Sequence, residues 1–190
     1  MIETFRTNRL SAERLRADHL GDLRQMHRDP RVMATLGGFR SEDQTRQFLQ
    51  RNLEHWDRHG YGLWVFRDNE GGRFVGRGGL RHVPVGSADE VELAYALMAK
   101  FWSRGLATEM AEAIATVAFE HLGMEEVVCF TLPTNLASRR VMEKVGFTFE
   151  RELIHADLPH MLYRFADSGK VTLSRIGGRM RRLMVVGSGG

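Results

Sequence analysis

Cysteine is nearly absent from this sequence, with a single residue among 190. An internal disulfide is therefore impossible. Cys129 lies in the apolar run 127–130, where a small buried hydrophobic residue is expected. We interpret Cys129 as a core residue rather than as a reactive thiol.

Long apolar runs are also missing. No stretch approaches the roughly 20 apolar residues that a membrane span requires, and residues 1–6 carry no apolar run of signal-peptide length. The composition, 43% hydrophobic and 27% charged, is typical of a soluble globular protein, and the length fits one domain with a sizeable core. We therefore expect a cytoplasmic protein without membrane contact.

A large excess of charge of one sign is absent from most of the chain. The net charge is +3, and residues 167–190 alone contribute +4, so residues 1–166 sum to −1. Basicity of the whole protein is therefore no argument for nucleic-acid binding. We expect a folded domain at 1–166 and a basic C-terminal extension at 167–190. Its glycines favour flexibility, and contact with RNA or the ribosome remains an alternative role for it.

The hydrophobic periodicity changes repeatedly between that of helices and that of strands. The clearest helix is 106–122, which is apolar on one face and polar on the other. A second helix begins at the capping box formed by Ser41 and Gln44 and ends at Gly60. The order predicts an α/β (α+β) fold with a mixed, largely antiparallel twisted sheet flanked by helices. Further helices are predicted at 18–28 and 135–144, and strands at 7–15, 61–67, 73–83, 91–99, 126–131, 147–155 and 161–166.

Small residues stand where the predicted strand 91–99 leads into the helix 106–122. Gly105 and Ala107 let main-chain N–H groups approach a ligand closely, and a helix start adds unpaired donors and the positive end of the dipole. These features predict an anion site. A Walker loop is excluded because Gly-Lys-Ser/Thr is absent, and the run 76–79 lacks the spacing of a dinucleotide fingerprint. ATP and NAD are therefore both disfavoured.

Two motifs in register resemble the same family. The run 101–109, Phe-Trp-Ser-Arg-Gly-Leu-Ala-Thr-Glu, resembles the pyrophosphate loop Gln/Arg-x-x-Gly-x-Gly/Ala of the GNAT N-acetyltransferase superfamily. Its Trp-x-x-Gly-x-Ala-Thr-Glu form is similar to the branch of ribosomal-protein-alanine N-terminal acetyltransferases, and so is the run 135–147, with Asn-x-x-Ser followed by Glu-Lys-x-Gly-Phe. The resemblance covers residues 5–166. It implies an acyl-CoA N-acyltransferase fold, acetyl-CoA as the co-substrate, and no metal.

The resemblance also implies catalytic roles, although two positions depart from the family pattern. Trp102 occupies the Gln/Arg position, so phosphate contact falls to main-chain donors and Arg104. Met142 stands where many members carry a tyrosine that protonates the leaving thiolate, and methionine has no proton to donate. The branch gives this role to Ser138, one helical turn earlier. Glu92 is the candidate base for the amine proton, directly or through water.

The expected cofactor contacts follow from the same resemblance. Strands that splay after Val91 and Glu126 would expose main chain to the pantetheine arm, with the Met98 N–H as the oxyanion donor. The cofactor-binding residues expected in this way are Leu97, Met98, Ala99, Trp102, Arg104, Gly105, Leu106, Ala107, Thr108, Asn135, Ser138 and Arg139.

Several of these residues also have a purely structural interpretation. Glu92 could be a solvated strand carboxylate, Ser138 could hydrogen-bond within its own helical turn, and Asn135 could be only a helix cap. Of Arg139 and Arg140, one is expected to meet the cofactor phosphates and the other to be solvated.

Two further groups of side chains have competing interpretations. His55 and His59 have the i, i+4 spacing of a metal-binding pair, but no third ligand is evident and a solvated helix face is favoured. Trp56, Tyr61 and Trp64 could line an acceptor pocket or belong to the core.

The function indicated by this sequence is direct acetyl transfer from acetyl-CoA to a primary amine. A protein or peptide N-terminus is the first choice of acceptor, and a small-molecule amine such as a polyamine, an antibiotic or an amino acid derivative is the second. A non-catalytic acyl-CoA-binding or ribosome-associated module is the rival. Met142 favours that rival, whereas the combination of Glu92, Asn135 and Ser138 opposes it. A monomer and a homodimer both remain open.

Overall fold

The computed structural model describes residues 1–166 and 184–186. Among these, no helix combines the length and the apolar character needed to cross a membrane. The helices are α1 (Leu20–His27), α2 (Pro30–Met33), α3 (Glu42–His59), α4 (Leu106–Thr116), which continues into a π-helical turn at Val117–His121, and α5 (Leu136–Val145). The strands are β1 (Thr4–Arg6), β2 (Leu10–Arg14), β3 (Leu63–Asp68), β4 (Phe74–Val85), β5 (Ala88–Leu97), β6 (Glu126–Thr131), β7 (Thr148–His155), β8 (Leu158–Ala166) and β9 (Met184–Val186).

All the strands belong to one sheet, in the order β7-β8-β6-β5-β4-β3-β2-β1-β9. Each neighbouring pair is antiparallel except β5 with β6, which is parallel. The mixed, largely antiparallel sheet predicted from the sequence is therefore confirmed, and so is the antiparallel pairing of β3, β4 and β5.

Helices cover both faces of this sheet, as two successive residues of β4 show. The guanidinium of Arg77 lies 4.8 Å from the ring centroid of Phe48 in α3. Gly78 faces α4 instead, because a side chain there would meet the Met110 sulfur at 2.9 Å. Since side chains alternate between the two faces of a strand, α3 and α4 pack on opposite faces.

The ends of α3 form as their sequence signals indicate. The Gln44 N–H donates to Ser41 Oγ at 3.2 Å, and the Ser41 N–H donates to the Gln44 side chain at 2.8 Å. At the other end Gly60 has a φ of 73°, a left-handed conformation that glycine adopts without steric strain. Both predicted boundaries of this helix are confirmed.

The N-terminal region differs from its prediction. Of the strand expected at 7–15, only Leu10–Arg14 forms a strand, β2, because the Thr7 N–H donates to Leu10 O at 2.8 Å in a turn at residues 7–9. Strand β1 lies before the predicted range. The short helix α2 lies outside the predicted helices. It begins where the Asp29 carboxylate accepts the Arg31 N–H at 3.0 Å, a cap that stabilises a single turn.

Two of the three candidate pocket aromatics belong to the core. Trp56 and Trp64 are fully buried, with ring centroids 5.2 Å apart, so neither is accessible to an acceptor. Cys129 is only 3% exposed, and burial raises the pKa of its thiol well above the ordinary value. A reactive thiolate is thereby disfavoured, and the assignment of Cys129 to the core is confirmed.

Part of the predicted C-terminal extension lies within the described residues. Strand β9 pairs antiparallel with β1, with Val186 opposite Thr4. The expected flexibility and the alternative of RNA or ribosome contact concern residues 167–183 and 187–190, which lie outside the described residues.

Candidate active site

The sheet opens between β5 and β6. Glu92 and Val128 are the pair in register across this parallel boundary, although β5 continues to Leu97 and β6 to Thr131. Beyond this pair the two strands diverge and leave a cleft between their C-terminal ends. The splay predicted from the sequence is confirmed.

The backbone groups of β5 point alternately toward β4 and into this cleft. The Met98 N–H, just past the end of β5, donates to Val75 O at 2.8 Å and so points toward β4. Because neighbouring residues of a strand point their backbone groups in opposite directions, the N–H groups of Leu97 and Tyr95 point toward β6. The prediction of the Met98 N–H as oxyanion donor is therefore wrong, since this donor is already used within the sheet.

The loop between β5 and α4 contains two residues in the left-handed conformation directly before a helix start. Ser103 and Gly105 have φ values of 58° and 75°, and α4 begins directly after Gly105. Left-handed residues turn successive N–H groups toward one side, and Gly105 has no side chain with which to cap the helix. The first N–H groups of α4 therefore have no side-chain cap and lie at its positive dipole end, an arrangement that suits a phosphate.

Arg9 holds this loop from a distant part of the sequence. Its Nη1 donates to Arg104 O at 2.8 Å, and its Nε forms an ion pair with Glu109 at 2.6 Å. The Thr7 hydroxyl donates to the second carboxylate oxygen of Glu109, also at 2.6 Å. Glu109 lies in the first turn of α4, where a carboxylate also interacts favourably with the helix dipole. The loop is thus fixed before and after Gly105.

The predicted residues at the end of β5 and in the loop differ in exposure. Trp102 is 45% exposed, and its indole N–H donates to Leu97 O at 2.9 Å, so the ring folds back onto the end of β5. Leu106 is buried in the core and can contribute to a ligand site only through its main chain. Arg104 and Gly105 are exposed, and Ala99, Ala107 and Thr108 are half-buried.

Ser138 on α5 meets a tyrosine across the cleft. The Tyr95 hydroxyl lies 2.9 Å from Ser138 Oγ and donates to Ser138 O at 3.1 Å. Burial raises the pKa of Tyr95 well above its ordinary value, so this hydroxyl stays protonated. Met142, one turn further on, is fully buried and has no access to the cleft. Because Met142 replaces the tyrosine of many family members, the hydroxyl groups that remain beside the cleft here are those of Ser138 and Tyr95.

Asn135 and Arg139 each have a structural partner. Asn135 Oδ1 accepts the Ser138 N–H at 3.2 Å, which confirms the helix-cap interpretation, while its contact with the cofactor stays a prediction. Arg139 Nε donates to the Tyr163 hydroxyl at 3.0 Å. Of the two arginines 139 and 140, Arg140 is exposed, which is compatible with solvation and equally with contact to a cofactor phosphate at the surface.

Glu92 lies at the start of the cleft and is only 4% exposed, so its interpretation as a solvated carboxylate is wrong. Arg81, directly opposite on β4, donates from Nε to Glu92 Oε2 at 2.5 Å. The charge of Glu92 is the main cause that raises the pKa of Arg81. The role of Glu92 as a base stays a prediction. In that role Glu92 would have to act while it is paired with Arg81.

His55 and His59 pack with a third histidine. Ring centroids are 4.4 Å apart for His55 and His59 and 4.3 Å apart for His59 and His82. His55 Nε2 accepts the His82 N–H at 3.1 Å and its Nδ1 lies 3.0 Å from Tyr61 O, so both ring nitrogens are engaged. Burial lowers the pKa of His55 to about 4. Within the described part of the chain, no three metal-binding side chains surround a common position.

Comparison with known proteins decides the family. The sequence model described as Acetyltransferase (GNAT) domain matches residues 9–148, which is most of the chain. The chain belongs to the GNAT acetyltransferase family. It is 32% identical over 160 residues to the FsC-acetyl coenzyme A-N(2)-transacetylase of Aspergillus fumigatus. That match covers 76% of this chain, but the chain spans only 65% of the relative.

Solved structures of other GNAT proteins share the fold. An acetyltransferase from Agrobacterium tumefaciens superposes with a TM-score of 0.77 at 28% identity, covering 88% of this chain and 96% of that one. RimL, a ribosomal L7/L12 α-N-protein acetyltransferase in complex with coenzyme A, gives a TM-score of 0.67 at 19% identity. This match covers 84% of the present chain and 94% of RimL, and at this identity the likeness shows the fold alone.

As a GNAT protein, the chain is an acetyl-CoA-dependent acetyltransferase that acts on amines. The residues present fit this co-substrate. The main-chain donors around Gly105 and the start of α4 suit a pyrophosphate, and the cleft between β5 and β6 leaves backbone N–H groups facing an extended arm.

Two residues of this GNAT site were not among those predicted from the sequence. Arg9 lies 95 positions before Arg104, the residue whose carbonyl it binds, so no local pattern connects the two. Tyr95 lies near the end of β5, six residues before Phe101, where the recognised run begins. The alternation of side chains along β5 is a signal that could have placed it toward α5.

Proposed function

We propose that this GNAT enzyme transfers the acetyl group of acetyl-CoA to the N-terminal amine of a protein or peptide. One observation carries the proposal: the donor-lined loop around Gly105 leads directly into the cleft that opens beyond Glu92 and Val128. The loop would hold the pyrophosphate, and the cleft would hold the pantetheine arm. The fold shared with RimL, which is named as an α-N-protein acetyltransferase, favours a polypeptide N-terminus as acceptor.

In this proposal the phosphates meet main chain more than side chain. The N–H groups from Gly105 to Thr108 bind the pyrophosphate, while Trp102 and Arg104 border it. Leu97 and Ala99 flank the entry to the cleft at the end of β5. Asn135, Ser138 and Arg139 line the opposite side, at the start of α5.

The attack on the thioester carbonyl requires a neutral amine and a donor for the oxyanion. The N–H groups of Leu97 and Tyr95 point into the cleft and take the role first assigned to Met98. Glu92 is buried and paired with Arg81, so we assign it removal of the amine proton through an intervening water. The new C–N bond then forms as the amine nitrogen loses this proton.

Breakage of the C–S bond leaves a thiolate that must gain a proton. Ser138 supplies it in this proposal, because Met142 has none to give and faces the core. The Tyr95 hydroxyl, 2.9 Å from Ser138 Oγ, orients this group and can replace the proton that it loses. The products are the acetylated amine and coenzyme A.

The proposal is tested by measuring thiol release from acetyl-CoA with a panel of amines. The panel contains peptides with free N-termini, the same peptides with blocked N-termini and an internal lysine, polyamines, and aminoglycosides. We expect the highest kcat/KM with free N-termini, and mass spectrometry of the product should place the acetyl group on the α-nitrogen. Equal rates for free and blocked peptides would contradict an N-terminal acceptor.

A small-molecule amine is the second candidate acceptor. The relative with 32% identity is named FsC-acetyl coenzyme A-N(2)-transacetylase, and that name mentions no protein acceptor. A polyamine, aminoglycoside or amino acid derivative that exceeds every peptide in kcat/KM would decide for this candidate. Coenzyme A binding without thiol release for any amine would decide instead for the non-catalytic module.

A further inference from the structure

Three arginines meet beside the cleft, and we name them the arginine cluster. Arg77 and Arg81 lie four residues apart on β4 and therefore on the same face of the sheet. Arg40 reaches them from the segment before α3, where its guanidinium lies 4.9 Å from the ring centroid of Phe48. Arg77 lies over the same ring at 4.8 Å.

Arg77 is the member whose hydrogen-bonding needs are least satisfied. It is only 4% exposed, and its Nε is buried with no hydrogen-bond partner among the described residues. A buried guanidinium donor without an acceptor is unfavourable because its hydration has been lost and nothing replaces it. The described residues offer this donor no acceptor, so an acceptor on a bound group would satisfy it.

The charges within the cluster do not balance. Arg81 is paired with Glu92, but neither Arg77 nor Arg40 forms an ion pair with a carboxylate of the described residues. Arg40 Nη1 lies 3.2 Å from His27 Nε2, and burial with the two nearby arginines lowers the pKa of His27 to about 3. His27 is therefore neutral and offsets no charge. Burial lowers the pKa of Arg77 only to about 9, so it remains cationic at neutral pH.

The register between β4 and β5 places this excess positive charge at the cleft. Arg81 lies opposite Glu92, the residue at which β5 still pairs with β6. Arg77 lies opposite Ala96, where the cleft has opened. The cluster also lies on the α3 face of the sheet, away from α4 and its phosphate-binding start. Its position therefore suits a group on the acceptor better than a phosphate of the cofactor.

From this arrangement we propose that the acceptor carries a carboxylate close to its reactive amine, and that Arg77 and Arg40 bind this carboxylate. The inference rests on the acetyl transfer proposed above and specifies its substrate class, an amine with a carboxylate close by. Both an acidic N-terminal peptide and a small amino acid belong to this class. The carboxylate supplies the acceptor that Arg77 Nε lacks. Guanidinium groups can bind carboxylates through two parallel hydrogen bonds, which adds directional selection to the attraction.

Matched pairs of acceptors test this inference with the full chain. The pairs are peptides that begin with Ser-Asp or Ser-Asn, and β-alanine against β-alaninamide, so that the peptide and small-molecule sources of a carboxylate are separated. For the pair that reacts, we expect kcat/KM to be about tenfold higher with the acidic member. Arg77→Met should lower this ratio about tenfold, and Arg40→Met should lower it in the same direction. Arg58→Met, an exposed change on α3, is the control that should keep the ratio.

Each other outcome overturns the inference in a distinguishable way. Equal rates within every pair, or an unchanged ratio in both folded variants, would refute the arginine cluster as an acceptor site and leave acetyl transfer standing. A tenfold loss of coenzyme A affinity in Arg77→Met, measured by calorimetry, would assign the cluster to the cofactor. No thiol release with any amine would remove the proposed function and this inference together. If Arg77→Met does not fold, the half-buried Arg40→Met decides alone.

Discussion

Arg9 and Glu109 form an ion pair with an N–O distance of 2.6 Å although they lie 100 residues apart in the sequence. The pair joins the turn between β1 and β2 to the first turn of α4, and Arg9 also binds the carbonyl of Arg104. The shape of the loop around Gly105 thus depends on a residue that is distant in the sequence. An arginine that forms several hydrogen bonds to one loop restricts that loop more than a single contact would.

Arg9→Met is therefore expected to weaken coenzyme A binding about tenfold, because the loop around Gly105 must then be ordered by the ligand. The Arg9 side chain is 51% exposed, so the free energy of unfolding should fall by less than about 1 kcal/mol. Calorimetric titration and urea unfolding measure the two effects. Arg6→Met, an exposed change on β1, is the control. Equal losses of affinity in both variants would show that Arg9 has no specific effect on the loop.

Sequence signals located the elements wherever the interactions that form them are local. The capping box of Ser41 and Gln44 and the glycine at position 60 define α3 within a few residues of chain. The bounds of β6, Glu126–Thr131, also agree with the prediction, since a short apolar run is a local feature. The apolar face of α4 likewise indicates the helix without knowledge of what packs against it.

Contacts that depend on register could not be predicted in this way. The family resemblance implied Met98 as the oxyanion donor, whereas its N–H donates to Val75 O. Which N–H groups of β5 face the cleft follows from its register with β4, and the residues of β5 alone do not reveal that register. The partners of Arg77 and Arg81 also follow from the pairing of β4 with β5, which no local pattern reports.

The lowered pKa of His27 predicts how the stability of the protein depends on pH. Burial, followed by the charges of Arg40 and Arg77, lowers its pKa from 6.5 to about 3. Below pH 6.5 the unfolded chain binds a proton that the folded chain does not, so stability is lost as the pH falls through this window. Between pH 7 and about 4.5, we expect His27 to account for up to about 2.5 kcal/mol of the decrease.

Urea unfolding of His27→Gln at both pH values measures this contribution. The variant should be less stable than the wild type at pH 7, because the hydrogen bond between His27 and Thr45 is lost, yet it should lose less stability on acidification. His121→Gln, an exposed change at the end of the π-helical turn, should keep the wild-type dependence. A His27→Gln variant that loses as much stability as the wild type would assign the acid sensitivity to other groups.

Glu92→Gln tests the assignment of the base. If Glu92 takes up the amine proton through water, kcat should fall about 10²-fold near neutral pH and less at high pH, where the free amine is abundant. The pH profile of kcat with a confirmed acceptor measures this difference. Glu90→Gln is the matched control, because Glu90 also lies on β5 and pairs with an arginine, Arg164, at 2.9 Å. A uniform loss at every pH would point to a structural role for the pair of Glu92 and Arg81.

The hydrogen bond between Ser138 and Tyr95 makes the source of the last proton testable. Ser138→Ala removes a hydroxyl from the surface of α5, so folding should be retained. If Ser138 protonates the thiolate, kcat should fall about 10²-fold while KM for acetyl-CoA changes little, since the interaction is made mainly in the transition state. Tyr95→Phe should cost less, because Tyr95 then only orients Ser138 and returns its proton.

Single-turnover measurements on a confirmed acceptor separate these two hydroxyl groups from slower steps of the cycle. Ser87→Ala, in the turn between β4 and β5, is the control for loss of a serine hydroxyl away from the cleft. A Met142→Tyr change is not expected to restore the rate, because position 142 is fully buried and a larger ring would overpack the core instead of entering the cleft. If Tyr95→Phe loses the rate and Ser138→Ala keeps it, the tyrosine is the acid. Its raised pKa would then explain how it holds its proton until the thiolate forms.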